Sequence, residues 1–173
     1  MFNTTKSRRI FIRDLALLSG AFMANGFIAP PAAKSKMKMG LVTYQWGKDW
    51  DVPTLIRNCA AAKIYGVELR TEHAHGVDPS ISATKRKEVK KMFADSPVKI
   101  VGMGTNEQYD FIDQVQLKKS IEKTKEWVIL SKDVGGTGVK VKPNAFHKEV
   151  PREKTIEQIG KSLNEVGKFA ADY

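Results

Sequence analysis

Glu68 and Arg70 stand two residues apart in Val67-Glu68-Leu69-Arg70, a short run that alternates apolar and charged side chains. In an extended strand that spacing puts both charged groups on one face. There they can hydrogen-bond a hydroxyl and an anionic group, or pair with each other to fix a buried interior. Lys140 and Lys142 repeat the pattern in Val139-Lys140-Val141-Lys142. Turned inward, two ammonium groups attract an anion or polarise a carbonyl; turned outward, they lay their stems over helices. Asn144 follows as a neutral hydrogen-bonding group in the next loop. Glu72 and Glu107 fall just after two apolar runs, where a carboxylate serves as base or ligand, or is simply a solvated loop charge. His73 and His75 carry the imidazoles that suit a divalent ion. Two histidines with no clear third ligand do not make a metal site, so they are read as shaping a loop or touching a bound molecule. Tyr44 and Trp46 are read as walls of a pocket, with core packing as the alternative.

Four repeats of strand followed by helix position these groups. The strands are expected over 37–44, 67–70, 98–103 and 139–142. Asp51 caps the first helix, with Pro53 in its first turn. Leu55, Ile56, Cys59, Ala60 and Ile64 form its apolar stripe and Gly66 ends it. Ser82 opens a second, strongly basic helix with Val89, Met92 and Phe93 inward; Lys85, Arg86, Lys87, Lys90 and Lys91 make its solvated face. A third helix runs from about Asp113 to Val134, with Val115, Ile121, Trp127, Val128 and Leu130 inward and Gly135-Gly136 at its end. The last starts near Arg152 and carries Ile156, Ile159, Leu163, Val166 and Ala170. Such alternation predicts parallel βαβ units, which fit a doubly wound sheet as well as a barrel. Two features favour a partial TIM (β/α)8 barrel of about four units. Polar residues gather after the strands, and no glycine fingerprint follows the first strand. Gly102-Met103-Gly104-Thr105-Asn106-Glu107 approaches a dinucleotide loop, but Glu107 stands where the third glycine belongs; it is read as a loop leaving a strand.

The 173-residue chain is 42% hydrophobic and 28% charged, the composition of a folded protein. Its one cysteine, Cys59, excludes an internal disulfide and a thiolate metal site. The formal charge is +10, but the bases are spread over helices without interleaved aromatics, so a specific nucleic-acid binder is not expected. Residues 1–33 read as a signal segment preceding a domain over 34–173. Ser7-Arg8-Arg9-Ile10-Phe11-Ile12-Arg13 resembles a twin-arginine export signal, with Arg8 and Arg9 as the pair. A short apolar stretch from Leu15 to Met23 and then Ala29-Pro30-Pro31-Ala32-Ala33 follow. That order implies the twin-arginine machinery as a partner and a periplasmic or secreted location. The apolar stretch is too short to span a bilayer, and no cysteine follows it, so no stable membrane anchor is expected.

Gly66-Val67-Glu68-Leu69-Arg70 with His73-Ala74-His75-Gly76-Val77 resembles the second unit of the sugar phosphate isomerase/epimerase family, the xylose isomerase-like TIM barrels. Met39-Gly40-Leu41-Val42-Thr43-Tyr44 and Gly138-Val139-Lys140-Val141-Lys142-Pro143-Asn144 are similar to the same family, over roughly residues 37–173. The resemblance implies an eight-unit barrel of which this is the N-terminal half. It also implies a small sugar or keto-acid substrate, proton transfer beside a carbonyl, and a divalent metal (Mn, Mg, Zn or Co). In the family the metal-binding Glu, Asp, His and Glu end later strands, which this sequence does not reach; the chain alone is expected to bind no metal tightly. Glu68 and Glu107 are the expected catalytic carboxylates. Tyr44, Trp46, Arg70, His73, His75, Lys140, Lys142 and Asn144 are the expected substrate contacts. The alternative is a non-catalytic carbohydrate-binding half-barrel or a truncated fragment. Open strand edges invite self-association, two copies closing a pseudo-barrel. Chemistry on abasic DNA belongs to the same superfamily, but an export signal and only three histidines argue against it.

Overall fold

A computed structural model describes residues 37–173. The expected signal segment, with Arg8 and Arg9, lies outside the described residues. The elements alternate: β1 (Gly40–Val42), α1 (Val52–Ala61), β2 (Gly66–Arg70), α2 (Ala83–Ala94), β3 (Lys99–Gly104), α3 (Gln114–Val134), β4 (Val139–Lys140) and α4 (Arg152–Ala170). All neighbouring strands pair in parallel, in the order β1-β2-β3-β4. This order decides what periodicity leaves open. A doubly wound sheet reverses its strand order at a switch point. Here every strand lies beside its predecessor, and right-handed crossovers then put all the helices on one side. The fold is α/β, a partial TIM barrel of four units.

Local chemistry accounts for the helix ends. The Asp51 carboxylate accepts the Thr54 amide at 2.9 Å, the Ser82 hydroxyl accepts from Lys85, and Asp113 accepts from Val115. Gly135 takes a left-handed φ of 82° and closes α3. Gly66 does not end the first helix as expected. The chain turns at Ala62 and at Lys63, which has φ 57°, and Gly66 is the first residue of β2. A Cβ on Gly66 would come within 3.1 Å of the Val101 side chain, so close strand approach explains that glycine.

Behind the sheet lies the dry core. Val67 and Leu69 of β2 and Ile100 and Met103 of β3 pack with Leu55 and Cys59 of α1, Val89 and Phe93 of α2, and Trp127, Leu130 and Val134 of α3. Ile100 and Met103 are three apart, a spacing that strict alternation would send to opposite faces. An irregularity between β2 and β3 resolves this: Val67 pairs with Ile100 but Glu68 pairs with Gly102, so Val101 is the extra residue of a bulge. A second cluster joins Tyr109, Leu117, Ile121, Val128 and Val166 between the β3–α3 loop, α3 and α4. Three expected core residues are exposed instead. Val115, at the start of α3, and Ile156 and Leu163, on α4, face solvent at 63%, 55% and 46%, because they lie on the flank of the last helix pair, beyond the reach of the sheet.

Candidate functional site

The face of the sheet away from the helices carries Val42, Glu68, Arg70, Val101 and Lys140, all partly or fully exposed. The alternation expected of β2 therefore holds, and Lys140 lies on the same face as Glu68 and Arg70; β4 ends at Lys140, short of the expected 139–142, and Lys142 sits in the segment that follows. Lys140 and Glu68 form an ion pair, although β3 lies between their strands. Neighbouring strands are about 4.8 Å apart, so the pair must bridge two spacings. It can do so because β3 presents glycines there: Gly102 opposite Glu68, and Gly104 opposite both Arg70 and Lys140. A Cβ on Gly104 would sit 2.6 Å from Glu68 Oε1 and 3.1 Å from Arg70 Cδ. Gly102-Met103-Gly104 is thus strand and not a loop, and its glycines make room for side chains of β2.

Arg70 points toward the ends of the strands. Its guanidinium donates to the Thr105 carbonyl and to Asn106 Oδ1, both at 2.6 Å, and lies 5.8 Å from the centre of the Tyr44 ring. Val42, Tyr44, Arg70, Lys140, Lys142 and Pro143 surround a concave space of about 610 Å3. Lys142 is held at its amide, which donates to the Glu107 carbonyl at 2.8 Å, while its side chain is exposed.

Other expected site residues lie elsewhere. Trp46 is 77% exposed and does not line this space. Asn144 is exposed, and its amide donates to Asp110 Oδ1. The Glu107 carboxylate turns toward α3, accepts the Ser120 hydroxyl at 2.8 Å, and lines a separate depression with Asn106 and Lys123. Burial raises its pKa, opposed by the Ser120 hydrogen bond. Glu72 is exposed and adopts a left-handed φ of 64°.

The histidines differ from each other. His75 is buried, with both ring nitrogens engaged. Nδ1 accepts the Val77 amide at 3.0 Å, so Nε2 carries the proton and donates to the Arg70 carbonyl at 2.8 Å. Burial holds its pKa below the ordinary value. An imidazole so occupied has no nitrogen left for a ligand; its role is to hold the end of β2. His73 meets the Thr43 hydroxyl through Nδ1 at 3.0 Å, and burial, followed by the nearby Arg70 charge, lowers its pKa.

Sequence reasoning passed over three residues. Thr43 and Thr105 are fully buried at the ends of β1 and β3. Thr43 Oγ1 accepts the Arg70 amide at 2.9 Å, and Thr105 Oγ1 donates to the Lys140 carbonyl at 2.9 Å; each hydroxyl ties its strand end to the next strand. A signal existed: Thr43, Thr71 and Thr105 each stand directly after a strand. Asp110, also buried, accepts the amides of Asn144 and Ala145 and so anchors the loop after β4. Only the folded chain shows that contact, across 34 and 35 residues.

A divalent ion finds no ready site here. Among the described residues no three His, Cys, Asp or Glu side chains converge. Glu68 is paired with Lys140, and the nitrogens of His75 are taken. The residues present do not fit a metal by themselves.

A four-unit parallel barrel segment with a charged strip at its strand ends defines a class, and comparison with known proteins gives the family. Residues 56–173 match the xylose isomerase-like TIM barrel family, to which the chain belongs. No curated protein matches the sequence significantly. Among solved structures, the chain is similar to the IolI protein with a bound zinc atom (15% identity, TM-score 0.65, 78% of this chain and 48% of that one). It is similar to D-psicose 3-epimerase in the presence of D-fructose (15%, 0.64, 79% and 49%). It also resembles 3-keto-D-glucoside 4-epimerase from E. coli (15%, 0.61, 79% and 53%). At such identities these likenesses show the fold alone, and the chain spans about half the length of each.

Proposed function

We propose that this chain supplies a substrate-holding part of the mouth of an exported sugar isomerase or epimerase. The whole protein would move a proton beside a carbonyl with a divalent metal held by residues outside those described. The observation that carries this reading is the group Arg70, Lys140 and Lys142 lining a concave space of about 610 Å3, with Glu68 ion-paired to Lys140. Arg70 is preorganised by two hydrogen bonds, and Lys142 presents an exposed ammonium beside it; together they suit the hydroxyl and anionic groups of a sugar or keto acid. Tyr44 offers an aromatic wall. Glu68 meets this space through its ion pair with Lys140, whereas Glu107 faces α3. The epimerases among the structural neighbours support the substrate class, and the zinc-bound neighbour supports a divalent metal in the family.

Calorimetric titration of the full chain with ketohexoses and their phosphates tests this. Binding is expected and should weaken at least ~10-fold in Arg70→Ala and Lys142→Ala, the loss of one charge-assisted hydrogen bond. Lys91→Ala, on the outer face of α2, should leave it unchanged. Absence of binding, or indifference to the two inner substitutions, would overturn the reading. The same titration with manganese or zinc alone should show no tight stoichiometric binding. A binding role without chemistry is the second reading, favoured by the neutralisation of Glu68 by Lys140; sugar binding with no turnover in the presence of metal would select it. Export rests on the Arg8-Arg9 pair. Replacing both with Lys should abolish transport of the chain, and undiminished export would contradict the assignment.

A further inference from the structure

We infer that Asp110 and His147 form a proton-transfer pair beside the mouth, with His147 Nδ1 as the acid–base atom and Asp110 as its positioning residue. The reaction assigned to the pair rests on the proposed function; its geometry does not. Asp110, in the loop between β3 and α3, is buried, and among the described residues no Lys or Arg pairs with it. Its Oδ1 and Oδ2 accept the amides of Asn144 and Ala145. The chain so pinned continues directly from Lys142 and Pro143, which line the concave space. Two residues further on, His147 Nε2 lies 3.7 Å from Asp110 Oδ2. That is too long for a hydrogen bond, yet Nε2 is buried and has no other partner. Without a proton it would set a lone pair against a carboxylate, so the ring proton belongs on Nε2. Nδ1 then keeps its lone pair, on a side chain that is 35% exposed. A carboxylate holding one ring nitrogen so that the other can act as base is the arrangement of catalytic Asp–His pairs, whose contacts tighten when substrate binds.

Of the three histidines, only His147 offers a free lone pair. His75 has both nitrogens engaged. Thr43 Oγ1 already accepts the Arg70 amide, so its single hydrogen goes to His73 Nδ1. That occupies the one acceptor nitrogen of a neutral ring. The expected carboxylates are also committed, Glu68 to Lys140 and Glu107 to Ser120. With a ketose bound, His147 Nδ1 takes the proton from the carbon beside the carbonyl. The electrons of that C–H bond form a carbon–carbon double bond, and the carbonyl oxygen takes the negative charge. Arg70 and Lys142 supply positive charge for that oxygen. Return of the proton from the imidazolium to carbon restores a carbonyl and neutral His147.

Modification of the full chain by diethyl pyrocarbonate at neutral pH, followed histidine by histidine with peptide mass spectrometry, tests this. The reagent is attacked by a free imidazole lone pair, so His147 should react at least ~10-fold faster than His73 or His75. His73, also partly exposed, controls for exposure alone. In Asp110→Asn the ring proton is no longer held on Nε2, and the His147 rate should fall at least ~10-fold. The other two rates and the far-ultraviolet circular dichroism should not change. If that variant fails to fold, the reactivity order in the native chain still decides. Saturating D-fructose 6-phosphate should protect His147. Equal reactivity of the three histidines, or indifference of His147 to Asp110→Asn, would overturn the pair. Calorimetric binding of the sugar phosphate without protection would overturn the reaction assigned to His147 and leave the proposed function standing. No binding of ketohexoses or their phosphates would remove that function and the reaction together, the reactivity order alone then deciding the pair.

Discussion

The two inner strands and the two outer ones use the same residue chemistry in different settings. β2 and β3 pair over five positions, and Val67 and Leu69 of one and Ile100 and Met103 of the other are buried against three helices, while charge or glycine lies on the other face. β1 pairs over three positions and β4 over two, each with one neighbour among the described residues; Leu41 and Val139 are only partly buried against the core, and Val42 and Lys140 are exposed. The difference shows that burial here depends on having neighbours on both sides and not on hydrophobicity alone. Val101 and Ile100 are adjacent and similar, yet one is exposed and the other is buried, because consecutive strand residues point to opposite faces.

If stability is concentrated at the inner strands, Leu69→Ala should cost about 3 kcal/mol in urea denaturation, the loss of a fully buried side chain. Val42→Ala, on the outer strand β1, should stay within about 0.5 kcal/mol. Similar losses at the two positions would break the contrast. Gly104→Ala comes next, at about 1–3 kcal/mol, because the new methyl group would displace Glu68 and Arg70. It should exceed Lys140→Ala, which removes an exposed partner of the ion pair and should cost less than about 1 kcal/mol. The reverse order would mean that the pair, and not the glycine gap, organises the strip. Asp51→Ala, the loss of a helix cap away from the inner strands, should cost about 1 kcal/mol.

The smallest effect is a pH dependence. Burial holds the His75 imidazole below its ordinary pKa, so the unfolded chain takes up a proton before the folded one as pH falls. Its contribution to stability is complete above about pH 6.5 and is lost below that, as the pH drops through the folded value. Denaturation midpoints measured from pH 8 to 5 should show this decline in the native chain and a shallower one in His75→Asn. Equal slopes would remove His75 from the account.

Much of this was legible in the sequence. Asp51, Ser82, Asp113 and Gly135 announce helix ends through local hydrogen bonding, and Glu68 and Arg70 share a face because a strand alternates; Lys142 falls outside that rule because β4 stops at Lys140. What could not be read depends on contacts between units. Strand order chooses the barrel over the doubly wound sheet. The bulge at Val101 reconciles Ile100 with Met103. The glycines of β3 make sense only when Glu68 and Lys140 are seen on either side of them. The orientation of Glu107 toward Ser120, the double engagement of His75 and the anchoring of the β4 loop by Asp110 are likewise tertiary facts. Ile156 and Leu163 have helical spacing identical to a buried stripe, and only their position at the edge of the sheet tells them apart.

The central claim is that four parallel strands in chain order bring Glu68, Arg70 and Lys140 to one face, with Lys142 just beyond the end of β4. Backbone nuclear Overhauser contacts in isotope-labelled protein test it most directly. The account predicts contacts in parallel register linking Leu41 with Val67, Glu68 with Gly102, and Met103 with Val139. Close Hα–Hα pairs of antiparallel strands, or β4 found beside β2, would contradict it.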